Sequence, residues 1–291
     1  MNGVLIIDKP SGFTSHDVVS RVRHILHQRA VGHLGTLDPM ATGVLPLVIG
    51  NMTRLAQFYL ASEKSYEGVI RFGLATDTYD CDGETIGEPR PVSLTLGQAR
   101  EFGASFRGVI EQMPPPFSAK KIQGVPAYKL ARKKKDVALK AVKVEVKQFE
   151  ILSIDGPCTQ FCARVASGTY MRSIAHEMGK LAGCGAHLES LRRTAVAEFT
   201  LNEAHTLDDL DGAARGGEVS DLLVHPRKLL PLLPSVTATE EVASRIRHGR
   251  PINLPELSRA KEVKVFYGQH DLIAISTRVA GTLFHPRIVL V

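Results

Sequence analysis

The sequence predicts an α+β fold built around one mixed sheet. Stretches that alternate apolar and polar residues, as strands do, interleave with stretches that repeat apolar residues at helical spacing. They do not follow the strict β-α order of a doubly wound fold, in which a crossover helix follows each parallel strand. With 291 residues, 44% hydrophobic and 23% charged, the chain can bury one large core, or one large and one small.

The first half of the chain begins with a buried strand at Val4–Asp8. Thr14 or Ser15 then caps a helix that extends to about Gln28, and Asp17 stands three residues after Thr14, as in a capping box. The elements predicted next come in this order: a strand at 44–49, a helix at 53–60, a half-exposed strand at 66–72, a hairpin turn at 82–83 and a helix at 95–106.

Prolines at 114–116 end the regular structure of the first half. The elements predicted after them come in this order: a strand at 142–147, a strand at 159–167, a turn at Gly168 and a helix at 170–181. Prolines at 231 and 234 mark a domain boundary at 229–234. Short strands follow around 263–266, 272–277 and 287–290, so residues 235–291 are predicted to form a second, β-rich unit.

Positive charge is concentrated in one segment. The chain has a formal net charge of +6, and the residues between Ser118 and Lys147 include ten Lys or Arg against two acidic residues. Such a segment can neutralise phosphates and release counterions, which gives salt-sensitive binding to nucleic acid. The alternative is a solvated helix face, and charge by itself favours neither.

The sequence favours a cytoplasmic protein without a metal or cofactor. No apolar run reaches the length of a membrane span, and the apolar segment Val4–Ile7 lacks the basic residues that open a signal peptide. The cysteines at 81, 158, 162 and 184 are too few for a disulfide scaffold and lack partners at zinc-binding spacing. The carboxylates at 77, 80 and 82 are out of register for a calcium loop, and no dinucleotide or P-loop motif is present.

The most informative feature is the glycine-rich stretch from Gly32 to Pro46, GHLGTLDPMATGVLP. It sets one carboxylate, Asp38, among apolar residues and contains no Lys or Arg that could pair with it. A carboxylate in an apolar site is costly unless a cation reaches it, so we expect a partner from elsewhere in the chain. The alternative is a simple turn, since Asp-Pro commonly opens one.

This stretch, continued through Leu55, resembles the signature of the tRNA pseudouridine synthase B (TruB) family, bacterial type. Five further segments recur in that family's order: KPSGFTSHD at 9–17, KSY at 64–66, TDT at 76–78, GTYMR at 168–172 and LRRT at 191–194. The resemblance implies the pseudouridine synthase catalytic fold, a mixed and mostly antiparallel sheet, over residues 1–230. It also implies a thumb insertion at about 118–141, where the basic segment lies, and a small β-rich, PUA-like RNA-binding domain at 235–291.

The resemblance assigns roles to individual residues. Asp38 matches the catalytic nucleophile, Arg172 the arginine that pairs with it, and Tyr66 the tyrosine that stacks on the uracil and moves a proton. His33 matches the histidine that fills the space left by the flipped base. Three more positions are implied in substrate binding: Lys9, Tyr170 and Leu191.

The implied activity is conversion of uridine 55 in the T loop of tRNA to pseudouridine by a cytoplasmic monomer, without cofactor, metal or guide RNA. The uridine is extruded into the pocket before its N-glycosidic bond breaks. A non-catalytic RNA-binding or tRNA-folding protein is the competing interpretation, because Gly32–Gly35 also resembles the GXXG clamp of KH domains. Guide-RNA-dependent archaeal and eukaryotic relatives are a further alternative, which the compact C-terminal region and the thumb insertion disfavour. Arg192 and Arg193 are interpreted as phosphate contacts or surface charges.

Overall fold

A mixed sheet that contains most of the long strands forms the centre of the molecule. The structure, a computed structural model, describes residues 1–117 and 140–291 together with the strand pair Lys121–Ile122 and Val125–Pro126. The described strands are, in chain order, β1 (Gly3–Lys9), β2 (Val31–His33), β3 (Thr42–Ile49), β4 (Lys64–Phe72), β5 (Ala75–Thr76), β6 (Thr85–Ile86), β7 (Gly108–Gln112), β8 (Lys121–Ile122), β9 (Val125–Pro126), β10 (Val142–Asp155), β11 (Cys158–Val165), β12 (Ala186–Val196), β13 (Phe199–Thr200), β14 (Ser235–Ala238), β15 (Ile252–Asn253), β16 (Glu262–Tyr267), β17 (Asp271–Ala280) and β18 (Leu283–Val289).

The helices lie between these strands. In the described part of the chain they are α1 (Ser15–Ile25), α2 (Ala56–Tyr59), α3 (Leu96–Ala104), α4 (Met171–Leu181), α5 (Leu207–Gly216) and α6 (Glu240–Arg247). Short 3-10 turns connect them at Gly50–Leu55, Leu201–Glu203, Val219–Leu222, Pro226–Lys228 and Pro255–Leu257.

Nine of the described strands form the main sheet. Seven lie in the order β1-β3-β12-β4-β11-β10-β7, while β2 pairs with β3 and β13 pairs with β12. Among the described pairs, β12 with β3 is parallel and the others are antiparallel. The predicted α+β class with a mixed, mostly antiparallel sheet is confirmed, and β4 and β12 lie side by side near its centre.

Both faces of β1 are buried, which explains its continuous apolar sequence. Leu5 and Ile7 pack in a core with residues of α1, α4 and α5, whereas Val4 and Ile6 point to the opposite face. There they share a second core with residues of the C-terminal sheet, among them Phe266. The main sheet is therefore held between helices on one side and the smaller sheet on the other.

The C-terminal residues form their own sheet in the order β14-β16-β17-β18-β15. α6 covers part of it, since Ala243 and Ile246 pack with apolar side chains of β16 and β17. The small β-rich C-terminal fold expected from the sequence is present and is consistent with a PUA-like domain.

Several predicted elements are present with different ends. α1 begins after Thr14, whose side chain closes the predicted capping box, but it ends at Ile25 because His27 adopts a φ of 49°, outside the helical region. The helix predicted at 53–60 begins as a 3-10 helix at Gly50–Leu55, and only Ala56–Tyr59 is α-helical.

Among the described elements that the sequence pattern misses are the long strand β12 and the helices α5 and α6. In β12 the charged residues Glu189, Arg192 and Arg193 interrupt the apolar alternation, and two register shifts against β4 change which residues face the core. Helix α6, capped by Thr239, is only eight residues long and mostly polar, so few apolar residues mark it in the sequence.

The basic segment expected as a thumb insertion at about 118–141 lies outside the described residues, apart from β8, β9 and residues 140–141. Within the described ranges, no helix is long and apolar enough to span a bilayer. The same part of the chain contains no group of three or more His, Cys, Asp or Glu side chains placed to hold a metal ion.

Candidate active site

Asp38 lies in the loop between β2 and β3, and hydrogen bonds on both sides of it fix this loop. Ser15, the first residue of α1, donates through its hydroxyl to the Leu37 carbonyl (3.2 Å) and accepts from the Leu37 amide (2.8 Å). The Gly12 amide donates to the Pro39 carbonyl at 2.9 Å. The backbone on which the Asp38 carboxylate stands is therefore anchored to the start of α1 and to the segment before it.

Lys9 anchors the same loop. Its side chain is fully buried, and its ammonium donates to the carbonyls of Pro10 (2.8 Å), Phe13 (2.6 Å) and Pro39 (3.1 Å). An ammonium has three donors, so all of them are used inside the protein. Burial lowers the pKa of Lys9 to about 8, an effect that the negative charge of Asp38 opposes. The side chain thus supports the Asp38 loop from within, and the expectation that Lys9 binds substrate stays a prediction.

Arg172 connects the Asp38 loop to a second carboxylate. Its Nη2 donates to Asp38 Oδ1 at 2.8 Å and to the Phe117 carbonyl at 2.9 Å. Its Nη1 donates to the Thr78 carbonyl at 3.1 Å and lies 3.3 Å from Asp80 Oδ2. The ion pair expected from the sequence is thus present, with Arg172 between two carboxylates, and its catalytic role stays a prediction.

Helix α4 carries Arg172 in its first turn, where the helix dipole favours a nearby anion. Gln112 at the end of β7 fixes the start of this helix: its side chain accepts from the Tyr170 amide (2.8 Å) and donates to the Tyr170 carbonyl (3.0 Å). Ser173 adds a bond from its hydroxyl to the Met113 carbonyl at 2.7 Å. The guanidinium is therefore delivered by a helix whose first turn is tied to the main sheet.

The Asp38 carboxylate is partly exposed, at 32%, whereas the Arg172 side chain is 5% exposed. Burial raises the pKa of Asp38 above its ordinary value, Arg172 opposes this rise, and the negative charge of Asp80 adds to it. The Asp38 carboxylate is thus partly shielded from water and is paired with a cation that favours its ionised form. It has the properties required of a nucleophile or an electrostatic stabiliser of a cationic sugar.

A cavity of about 230 Å³ opens beside Asp38. The side chains that line it include Asp38, Lys64, Tyr66, Tyr170, Arg172, Leu191 and Arg193. Tyr66 lies on β4, and Leu191 lies on the neighbouring strand β12. An aromatic ring and an apolar side chain on adjacent strands form walls that suit a flat, uncharged base.

Arg193 is fully buried behind this cavity. It donates from Nε to the Val44 carbonyl (2.8 Å), from Nη1 to the Thr36 carbonyl (3.2 Å) and from Nη2 to the Gly35 carbonyl (3.0 Å). It also forms a hydrogen bond with the Tyr66 hydroxyl. The expectation of a phosphate contact or surface charge is therefore wrong for Arg193, which binds the Asp38 loop to β12.

Arg192 differs from its neighbour in the sequence. Its side chain is 41% exposed and pairs with Asp8 through bonds of 3.1 and 2.7 Å. Successive residues of a strand point to opposite faces, which explains why one arginine reaches the surface and the next does not.

His33 lies on β2, next to the Asp38 loop, and is partly buried. Its Nδ1 accepts from the Gly35 amide at 3.3 Å, and burial lowers its pKa, so the neutral ring is favoured at neutral pH. Gly32 pairs with Val48 in the sheet. Half of the segment 32–35 thus belongs to a strand, which does not fit the KH-like interpretation, since a GXXG clamp is a loop.

The sequence gives no direct signal for two residues of this site, Asp80 and Lys64. Asp80 is nearly buried and reaches Arg172, but in the sequence it is one of three closely spaced aspartates with nothing to single it out. Lys64 appears only as the first letter of the KSY segment, and its place in the cavity depends on the register of β4.

The chain is similar to known proteins over its whole length. Residues 23–171 match the N-terminal domain of the TruB family pseudouridylate synthases, and residues 172–228 match the C-terminal domain of tRNA pseudouridylate synthase B. A protein of Solibacter usitatus named tRNA pseudouridine synthase B is 49% identical, with 100% of both chains covered. One of the same name from Geobacter sulfurreducens is 43% identical over 86% of this chain and 83% of its own.

Among solved structures, a chain in the crystal structure of a Cbf5-Nop10-Gar1 complex has a similar fold. It matches with a TM-score of 0.74 and 25% sequence identity, covering 99% of this chain and 85% of that one.

Proposed function

Because the chain belongs to the TruB family of pseudouridylate synthases, we propose that it converts uridine 55 in the T loop of tRNA to pseudouridine. The reaction breaks the bond between uracil N1 and ribose C1′, turns the base and joins C5 to C1′. N1 ends with a proton and C5 loses one, so the overall change is an isomerisation without net oxidation.

Asp38 is the residue that starts this reaction. Its carboxylate either attacks C1′ or removes the C2′ proton to give a glycal, and both routes need the ionised form. The Arg172 guanidinium, 2.8 Å from Asp38 Oδ1, supports that form. A charge-assisted bond of this length is among the stronger hydrogen bonds in proteins.

Tyr66, Leu191 and Tyr170 hold the uracil while it is detached. The phenol of Tyr66 offers a flat face for stacking and a hydroxyl that can accept or relay the C5 proton. All three line the cavity beside Asp38, which supports this assignment. His33 fills the space that the extruded base leaves in the RNA, because it flanks the same loop and is favoured as an uncharged ring.

RNA binding is distributed over the rest of the chain in this proposal. Residues 1–230 form the catalytic domain, residues 235–291 form a PUA-like RNA-binding domain, and the basic segment at about 118–141 holds the T arm. The concentration of Lys and Arg in that segment supports it, since such charge neutralises phosphates. The enzyme works in the cytoplasm as a monomer, without cofactor, metal or guide RNA.

The observation that carries the proposal is the ion pair between Asp38 and Arg172 beside the cavity. A protein that only binds RNA gains nothing from a carboxylate turned toward a polyanion. The test is to incubate T-arm stem-loop RNA with the wild-type protein and with Asp38→Asn, and then to map pseudouridine. We expect pseudouridine at position 55 with the wild type and binding without product for the variant.

Two outcomes would contradict the proposal. Tight RNA binding by the wild type without pseudouridine would favour the tRNA-folding interpretation. Full activity of Asp38→Asn would remove Asp38 from the chemistry.

A further inference from the structure

We propose that Lys64 is a further catalytic residue, whose ammonium group stabilises the negative charge on uracil while the base is detached from the ribose. The inference rests on the proposed function, because cleavage of the glycosidic bond is what produces this charge. It follows from the balance of buried charges around the cavity and from which of their hydrogen-bond donors are occupied.

The cavity and its supporting loop contain more buried cations than carboxylates. Four cationic side chains there are buried: Lys9, Lys64, Arg172 and Arg193. The carboxylates that contact them, within the described residues, are Asp38 and Asp80. Charged groups are rarely buried without a partner, so the excess of cations predicts an anionic group on the ligand.

Three of these four cations have most of their donors occupied by the protein; within the described residues, the Nε of Arg172 is buried without a hydrogen-bond partner. Lys9 donates to three backbone carbonyls. Arg172 contacts two carboxylates and two carbonyls, and Arg193 donates to three carbonyls of the loop and of β3. None of the three can turn toward a ligand without giving up bonds that hold the site together.

Lys64 is the exception. Its Nζ donates to the Ser62 carbonyl at 2.6 Å, which is the one hydrogen bond that the described residues give it. An ammonium has three donors, so two are left for a ligand. The residue is only 9% exposed and lines the cavity, where donors without a partner are costly.

Lys64 is also placed beside the position of the base. It stands two residues before Tyr66 on β4, so both side chains point to the same face of the sheet, about 7 Å apart. A uracil stacked on Tyr66 therefore presents one edge toward Lys64.

The charge arises in either route of the reaction. When the N1–C1′ bond breaks, its electron pair stays on the base, which becomes a uracil anion with charge shared by N1 and the two carbonyl oxygens. C1′ gains electrons from the Asp38 carboxylate or, in the glycal route, from the C2′–H bond as Asp38 takes that proton. The anion then uses a pair at C5 to form the C5–C1′ bond, while the bond between Asp38 and C1′ breaks or, in the glycal route, Asp38 returns its proton to C2′. The C5 proton then leaves, and N1 is protonated. Lys64 acts between cleavage and reattachment.

Charged and titratable groups surround Lys64 on several elements. They are Asp38 from the loop, Tyr66 from β4, Tyr170 and Arg172 from the start of α4, and Arg193 from β12. Burial, followed by the charge of Arg193, lowers the pKa of Lys64 to about 8. The ammonium form thus predominates at neutral pH and is lost as the pH rises through about 8.

The test measures single-turnover rates with saturating T-arm stem-loop RNA. It compares the wild type with Lys64→Met, Lys64→Arg and the control Lys180→Met, a lysine on the exposed end of α4. Removing one group aimed at a developing charge lowers a rate about 100-fold, and we expect that loss for Lys64→Met with unchanged RNA affinity. The wild-type rate should fall as the pH rises above 8, whereas Lys64→Arg, which stays charged, should keep most of the rate and fall less steeply in this range, where Lys9 still loses its proton.

Other results would overturn the assignment. A phosphate contact predicts weaker RNA binding, a salt slope reduced by about 0.7 to 0.9, and an unchanged rate at saturation. A purely structural role predicts a lower melting temperature with a normal rate and pH profile for the folded protein. If Lys64→Met does not fold, the pH–rate profiles of the wild type and Lys64→Arg above pH 8 are compared instead. A steeper fall for the wild type supports the role of Lys64, and identical profiles contradict it. A wild type that forms no pseudouridine would refute the proposed function, whereas an active wild type with a fully active Lys64→Met would refute only the role of Lys64.

Discussion

Arg172 and Asp80 form a nearly buried ion pair, with Nη1 3.3 Å from Oδ2 and side chains that are 5% and 6% exposed. The neighbouring nitrogen of the same guanidinium holds Asp38, whose side chain is 32% exposed. One guanidinium therefore contacts a carboxylate that faces the cavity and another that the fold encloses. Asp80 is in turn fixed by Thr78, whose hydroxyl donates to Asp80 Oδ1 at 2.5 Å.

Replacing Asp80 tests whether it positions Arg172. Asp80→Asn keeps a hydrogen-bond acceptor but removes a negative charge that raises the pKa of Asp38. We expect a lower rate at neutral pH, because Arg172 is held less firmly, and an acidic limb of the pH–rate profile that moves to lower pH. Asp82→Asn, on the exposed turn nearby, is the control. An unchanged rate together with an unchanged acidic limb for Asp80→Asn would exclude the positioning role.

Tyr66→Phe separates the two roles proposed for the tyrosine. The ring still stacks on the base, but the hydroxyl that bonds to Arg193 and carries the proton is lost. Loss of a general acid–base group lowers a rate about 10²- to 10⁴-fold, so we expect a fall of this order in kcat with little change in KM. Full activity of Tyr66→Phe would assign proton transfer to another group.

Asp38→Asn is expected to be inactive but not less stable at neutral pH. The folded-state pKa of Asp38 is raised above 3.8, so the folded protein binds this proton more tightly than the unfolded chain does. The contribution of Asp38 to the unfolding free energy of the wild type is therefore present at low pH. It falls as the pH rises from about 4 through the folded-state pKa. Denaturant unfolding at several pH values should show that the unfolding free energy of Asp38→Asn rises relative to that of the wild type across this pH range. A relative rise in the unfolding free energy of the variant at low pH instead would contradict a raised folded-state pKa for Asp38.

The adjacent residues Arg192 and Arg193 allow a matched comparison of two substitutions by their effect on the unfolding free energy. Arg193→Lys cannot bond to all three carbonyls that the buried guanidinium holds, and each unsatisfied group costs about 1–3 kcal/mol. We expect a loss of about 2–5 kcal/mol in unfolding free energy. Arg192→Lys affects a partly exposed pair with Asp8 and should cost at most about 1 kcal/mol. Equal losses for the two variants would show that Arg193 is not the clamp inferred from its contacts.

Much of the fold could be predicted from local patterns in the sequence. Val4–Ile7 is apolar without interruption because both faces of β1 are buried, and Thr14 with Asp17 marks the start of α1 through a capping box. β12 could not be predicted in this way. Arg193 is buried at a position where the alternating pattern of a strand would have an apolar residue. Its guanidinium is tolerated there only because carbonyls distant in the sequence accept its hydrogen bonds.

Only part of the site could be predicted from the sequence, because the rest depends on contacts between residues that are distant in the sequence. Asp38 stands out because its stretch contains no Lys or Arg, which implies a cation from elsewhere, and Arg172 is that cation. Lys9 belongs to a recognisable motif, yet the motif does not tell a substrate ligand from a buried anchor. Lys64 becomes noticeable only when the donors of its neighbours have been assigned in three dimensions.

The most direct measurement is the single-turnover rate of pseudouridine formation by Arg172→Met, made beside its affinity for T-arm RNA. Without the guanidinium, two carboxylates are left without their cation and the Asp38 pKa rises, so a rate lower by about 1,000-fold with unchanged RNA affinity is expected. Arg172→Lys and the melting temperature of each variant control for folding. A folded Arg172→Met protein that forms pseudouridine at the wild-type rate would contradict the claim that this buried cation holds Asp38 ready to react.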